Sequence, residues 1–111
     1  MTLIVQDVAV EMILELRPLV AAIGRQDGDL ARQIRRSASS VALNIAEGAH
    51  SRGGNEVNRY ASAAGSASET RAALAVAEAW GYVSADACVK ADALLDRVLA
   101  MLWGLTHRRR C

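Results

Sequence analysis

Two glutamates are candidates for acid–base chemistry. Each lies at the end of a row of small, mostly polar residues spaced three or four positions apart, which we call a polar lane. The lane before Glu47 consists of Gln33, Ser37, Ser40 and Asn44, and the lane before Glu69 consists of Asn58, Ser62 and Gly65. A general acid and a general base would need a shared cleft and a suitable separation. Alternatively, each glutamate pairs with an arginine and fixes the register between helices, the candidates being Arg52, Arg59 and Arg71. The sequence favours this structural role for the lanes.

The remaining side chains that could bind a metal or take part in catalysis are scattered along the sequence. His50, Cys88, His107 and Cys111 show no pair at metal-ligand spacing. Both histidines fall in a predicted loop or tail, so no base is placed beside a nucleophilic serine. Gly53-Gly54 is a turn rather than a phosphate-binding loop. We therefore predict no metal, no cofactor and no catalytic activity.

Arginine is the prominent charged residue, since Lys90 is the only lysine among the basic residues. Arginine suits planar, bidentate contacts with phosphates and partner proteins. Acidic residues predominate in 1–29, whereas arginine predominates in 30–60 and at the C-terminus, although the net charge is only +1. A tentative nucleic-acid-binding set is therefore Arg32, Arg35, Arg36, Arg108, Arg109 and Arg110. A solvated polar face is the alternative meaning of these charges.

Apolar residues at helical spacing predict four helices and therefore an all-α fold. The predicted helices run from about 3 to 23, from about 29 to Gly48, from Asn55 to Trp80, and from Ser84 onward. Pro18 should kink or break the first helix, and Asn55 should cap the third. In the third helix we predict one packing face made of Val57, Ala61, Ala64, Ser68, Ala72, Ala75 and Ala79.

Short connections between helices of this length favour an up-down-up-down four-helix bundle over 1–107, followed by a basic tail over 108–111. The apolar arc of the last helix is wider than one bundle core needs, and Leu43 interrupts a polar helix face. We therefore predict self-association through a tentative interface made of Leu43, Gly65, Trp80, Leu99 and Trp103.

Several motifs in the central part of the chain keep their order and spacing. They are Q-x-R-R-S-A-x-S-V-x-x-N-I-A-E-G from Gln33 to Gly48, then R-Y-x-x-A-x-G-S-x-x-E from Arg59 to Glu69, and G-Y at Gly81-Tyr82. They resemble a bacterial family of four-helix-bundle proteins encoded in intervening sequences of large-subunit ribosomal RNA genes. The family is related to the accessory variability determinant of diversity-generating retroelements.

The resemblance implies a barrel-like homo-oligomer, a homopentamer, that binds RNA or DNA or assists a reverse transcriptase. The near-neutral charge of this chain departs from the strongly basic surface of the retroelement relatives. The alternative is a structural homo-oligomer that binds protein and has no nucleic-acid role. We expect a cytoplasmic location without membrane insertion, because no signal peptide and no apolar run of membrane-spanning length is visible.

Overall fold

The structure, a computed structural model, describes residues 4–107. It contains four helices and no strand in this range: α1 Ile4–Gly24, α2 Gly28–Ala49, α3 Gly54–Ala79 and α4 Ala85–Thr106. Each helix packs against the next one, and α4 packs back against α1. The short connections make successive helices antiparallel, and the bundle measures 49 × 22 × 22 Å. The all-α, four-helix prediction is confirmed.

The inner faces of α1, α2 and α4 are those that the apolar spacing predicts. The structure buries Val5, Val8, Met12, Leu16, Leu19 and Ile23 of α1, Leu30, Ile34, Ala38, Val41 and Ile45 of α2, and Cys88, Ala91, Leu95, Val98 and Leu102 of α4. Leu105, which has the same spacing in α4 and is expected on this face, is only half-buried. Helix α1 continues through the exposed Pro18 to Gly24, so the proline does not break it.

Asp27 and Ser84 cap α2 and α4, but the predicted Asn55 cap of α3 is wrong. The Asp27 and Ser84 side chains accept hydrogen bonds from the backbone N–H groups of Leu30 and Ala87, at 3.0 and 3.1 Å. Asn55 lies inside α3 instead of capping it. The cap residue is Gly53, whose φ of 62° favours glycine and which makes no side-chain hydrogen bond.

The predicted packing face of α3 is also wrong. The residues that α3 buries are Tyr60, Ala63, Ala67, Thr70, Ala73, Leu74 and Ala77. The expected face carries mostly exposed residues, including Ala61, Ser68 and Ala72. Small side chains surround this helix, so alanine spacing does not indicate its rotation. Tyr60 and Leu74 both point inward, and they mark the buried side instead.

Hydroxyl groups join α2 to α3. The buried Ser37 and Thr70 hydroxyls lie 2.7 Å apart, and those of Ser40 and Ser66 lie 2.9 Å apart. Ser37 also donates to the carbonyl oxygen of Ile34 at 3.2 Å. No buried side-chain polar atom among the described residues lacks a partner. Ser37 and Ser40 of the α2 polar lane therefore form hydrogen bonds to α3.

Gly48 is the predicted end of α2, and the helix ends one residue later, at Ala49. Gly48 has no positive φ; only Gly53 and Gly81 do among the described residues. The buried ring of Tyr60 covers Gly48, and a Cβ atom there would lie 2.6 Å from Tyr60 Cε1. Gly48 is therefore required by close packing.

We expect Gly48→Ala to lower the free energy of unfolding by about 1–2 kcal/mol, because overpacking outweighs the gain of ~1 kcal/mol in helix propensity. Gly104→Ala in α4 is the control, since nothing lies within 4 Å of its added Cβ atom. That variant should gain up to ~1 kcal/mol. Urea unfolding at one protein concentration measures both, and equal effects would contradict the packing role of Tyr60.

Candidate interaction surfaces

The two candidate acid–base glutamates are far apart and differ in their contacts. Glu47 Oε2 lies 2.9 Å from Nη1 of Arg59, as an ion pair of half-exposed side chains. Glu69 lies ten residues after Arg59 in α3, so about 15 Å of helix separates it from the arginine that holds Glu47. No catalytic carboxylate pair is formed.

The other predicted ion pairs are only partly present. Arg59 Nη1 also donates to Oδ1 of Asn44, at 3.5 Å. Arg71 pairs with Asp96 of α4 at 2.5 Å rather than with Glu69. Glu69 and Arg52 are exposed and form no ion pair among residues 4–107. The polar lanes therefore supply one ion pair between α2 and α3, and Arg71 supplies another between α3 and α4.

The scattered histidines and cysteines do not converge in the described part of the chain. No three His, Cys, Asp or Glu side chains within residues 4–107 could hold a metal ion. Cys88 is buried, and burial, with smaller contributions from Glu78 and Asp92, raises the pKa of its thiol to about 11. Such a thiol is a poor nucleophile at neutral pH. Cys111 lies outside the described residues.

The three predicted phosphate-binding arginines of α2 are exposed, but they reach different surroundings. Arg32 forms an ion pair with Asp29 of its own helix. Arg35 lines a groove between α1 and α2, and Arg36 lines a second groove between α2 and α3. Arg108, Arg109 and Arg110 lie outside the described residues. The three described members of the set, Arg32, Arg35 and Arg36, are therefore not united at one groove.

The α1/α2 groove has a volume of about 720 Å³. Its lining residues are Ile13, Leu14, Leu16, Arg17, Pro18, Val20, Ala21, Ile34, Arg35, Ala38 and Ser39. The lining is mostly apolar and includes two arginines but no acidic side chain. Sequence reasoning missed Arg17, which is separated from Arg35 by a whole helix connection. Only the antiparallel packing of α1 on α2 brings the two guanidinium groups to one groove.

The α2/α3 groove is smaller and more polar, with a volume of about 420 Å³. It is lined by Arg36, Ser39, Ser40, Leu43, Asn44, Glu47 and Arg59. Two arginines from different helices thus lie among hydroxyl and amide groups, a combination that can bind phosphate oxygens. Glu47 opposes anion binding there, because its carboxylate already pairs with Arg59.

The predicted oligomer-interface residues are mostly open to solvent. Leu43, Trp80 and Trp103 are 64%, 69% and 64% exposed, and Leu99 is half-buried. Gly65 is exposed with open space beside it, so the close contact that we expect there does not come from the chain itself. The remaining exposed large hydrophobic residues are Ile4, Val10, Leu14, Val76 and Val89. A single exposed hydrophobic side chain would be ordinary. This many on one small bundle leave an apolar surface that a partner could bury.

The aromatic side chains comprise two stacked pairs near the surface and one buried residue, Tyr60. The rings of Trp80 and Tyr82 stack at 6.5 Å, and those of Trp103 and His107 at 4.2 Å. The Tyr82 hydroxyl donates to Asp27 Oδ2 at 3.4 Å, and burial followed by the Asp27 charge raises the Tyr82 pKa. This contact fastens the end of α3 to the start of α2 and gives the Gly81-Tyr82 motif a structural role.

Comparison with protein families matches residues 1–104 to the family described as 23S rRNA-intervening sequence protein. The chain belongs to this family. The match spans α1 to α3 and most of α4, and it confirms the resemblance that the motifs indicate. Neither the family nor the similar structure described below names a catalytic activity.

A solved structure resembles this member of the 23S rRNA-intervening sequence protein family throughout. It is a protein of unknown function from the S23 ribosomal protein family of Bacteroides thetaiotaomicron VPI-5482, with a TM-score of 0.86 and 18% sequence identity. The alignment covers 95% of this chain and 100% of the other. At this identity the likeness supports the fold alone. A search of the curated proteins found no match.

None of the helices within residues 4–107 has the length and hydropathy to cross a membrane.

Proposed function

We propose that the protein is a non-catalytic helical scaffold that assembles into a homo-oligomer. The observation that carries this proposal is the set of large apolar side chains that the single bundle leaves exposed, above all Leu43, Trp80 and Trp103. Burial of apolar area contributes about 25 cal/mol per Å², so covering these side chains would favour association. A barrel-like homopentamer is the assembly that the family resemblance implies.

Mass measurement on the whole chain tests this proposal. Sedimentation velocity and native mass spectrometry at micromolar concentration should give a defined multiple of the 11.8 kDa subunit. Addition of salt should leave an apolar assembly intact, because salt screens charges rather than apolar contacts.

Nucleic-acid binding is the second candidate, and the α2/α3 groove favours it. Arg36 lies in that groove beside Ser39, Ser40 and Asn44, whereas Arg59 of the same groove is paired with Glu47. The family description refers to an intervening sequence of 23S rRNA, so RNA is the first nucleic acid to test. A closed oligomer would repeat the groove in every subunit, and multivalency would raise avidity. A reverse transcriptase remains the protein partner that the resemblance implies.

Arg32→Glu combined with Arg36→Glu should weaken RNA and duplex DNA binding alike, because phosphate contacts carry no sequence information. Each lost duplex phosphate contact should reduce the log–log salt slope by ~0.9. Fluorescence anisotropy of labelled nucleic acid at low and physiological salt measures both effects. Lys90→Glu with Arg97→Glu on α4 is the control of equal charge change, since both side chains are exposed there.

Equal losses in the two double variants would assign binding to net charge rather than to α2. An absence of binding by the unmodified protein at low salt would remove the second candidate and leave the scaffold.

A further inference from the structure

We infer that the α1/α2 groove receives the outer edge of helix α4 from a second copy of the chain. This inference rests on the self-association proposed above and names its two surfaces. We call the α4 surface the α4 edge, and it consists of Val89, Asp92, Asp96 and Trp103.

The groove has the chemistry of a site for an apolar segment that carries negative charge. Its floor includes the buried Leu16, Val20, Ile34 and Ala38. Arg17 and Arg35 are exposed beside it, and neither forms an ion pair with a described residue. Two like charges at one groove without a counter-charge repel each other, and an incoming carboxylate would relieve that repulsion.

The α4 edge has the complementary composition. Val89 and Trp103 are 61% and 64% exposed, which leaves apolar side chains at both ends of the edge. Asp92 and Asp96 lie between them in the sequence; Asp96 already pairs with Arg71, whereas Asp92 forms no ion pair with a described residue. Burial, followed by the charge of Asp96 and opposed by Arg71, raises the pKa of the Asp92 carboxyl. A cationic neighbour from another subunit would favour the ionised form of this carboxylate.

The position of Asp96 fixes the side of the bundle on which the α4 edge lies. Asp96 pairs with Arg71, so it faces α3. Val89 and Trp103 are seven residues before and after Asp96, which is about two helical turns, so they share its side of the helix. The helices are arranged in the cyclic order α1, α2, α3, α4. The α3 side of α4 is therefore opposite the α1/α2 groove.

Two complementary surfaces on opposite sides of one subunit form a heterologous contact, in which each copy gives one surface and receives the other. Repetition of this contact closes a ring only when the rotation between successive copies completes a full turn; otherwise it builds an open filament. Along α1 the groove runs from Ile13 to Ala21, about 12 Å of helix, so it can receive the central part of the α4 edge, which spans about 21 Å from Val89 to Trp103. A second copy is the occupant we choose because this chain itself carries the matching charge and apolar pattern.

Two variants, each with substitutions at exposed positions, test the two surfaces independently. The groove variant carries Arg17→Glu and Arg35→Glu, and the edge variant carries Val89→Arg and Trp103→Arg. Each places like charges on the two contact surfaces, and none of the four positions is buried in the bundle. Sedimentation velocity at micromolar concentration should show monomers for each variant alone, with the dissociation midpoint raised at least tenfold over that of the unmodified protein.

An equimolar mixture of the two variants contains one native groove and one native α4 edge. The mixture should therefore recover association, with at least a 1:1 heterodimer, whereas an isologous contact would not be rescued. Circular dichroism of each variant should match the unmodified helix content.

The inference is overturned if either variant assembles like the unmodified protein, or if the mixture stays monomeric. In both cases an oligomeric unmodified protein would keep the proposed function. A monomeric unmodified protein would overturn the proposed function together with this inference.

Discussion

Leu43→Asp is expected to shift the protein from an oligomer to a monomer. Leu43 lies one turn after Ser39, which lines both grooves, so it occupies the outer ridge of α2 between them. Its side chain is 64% exposed and contributes little to the subunit core. An unpaired carboxylate buried in an apolar contact costs several kcal/mol, so it should raise the dissociation midpoint by more than tenfold.

Gln33→Asp is the matched control, because it adds the same charge to an exposed polar position of the same helix. It should leave the sedimentation coefficient unchanged. An oligomer that tolerates Leu43→Asp would exclude Leu43 from the interface, and equal dissociation by both variants would indicate a general charge effect.

Leu74→Ala is expected to lower the free energy of unfolding by about 2–5 kcal/mol, the usual cost of a cavity left by a buried leucine. Leu74 is fully buried and is the largest aliphatic side chain that α3 gives to the core. The Leu43→Asp background is preferable for this measurement, because the unfolding of an oligomer depends on protein concentration.

Leu14→Ala in the same background is the control, since Leu14 is 54% exposed on α1. It should change the unfolding free energy by less than ~0.5 kcal/mol, as surface substitutions usually do. A loss at Leu74 no larger than the loss at Leu14 would contradict the observed rotation of α3.

The sequence predicts α1, α2 and α4 well because large apolar residues at three- and four-residue spacing mark one side of each helix. In α3 that contrast is missing. Alanine, serine and glycine surround the helix, and only its contacts with α2 and α4 decide which of them are buried. The Gly48 contact with Tyr60 could not be predicted either, since it depends on how two helices cross.

The candidate surfaces depend even more on packing between helices. The pairing of Glu47 with an arginine could be predicted from the polar lane, because glutamate and arginine at helix surfaces commonly pair. The pairing of Arg71 with Asp96 could not, because it requires the rotation of α3. Arg17 is a lone charge in the sequence and becomes informative only beside Arg35 in a shared groove.

The mass of the unmodified protein tests the scaffold proposal most directly. Native mass spectrometry and sedimentation velocity at micromolar concentration should give one species at a defined multiple of 11.8 kDa, and the species should persist on moderate dilution. The family resemblance predicts five subunits. A single species at 11.8 kDa under the same conditions would contradict the proposal, since the exposed apolar side chains would then have no second copy to cover them.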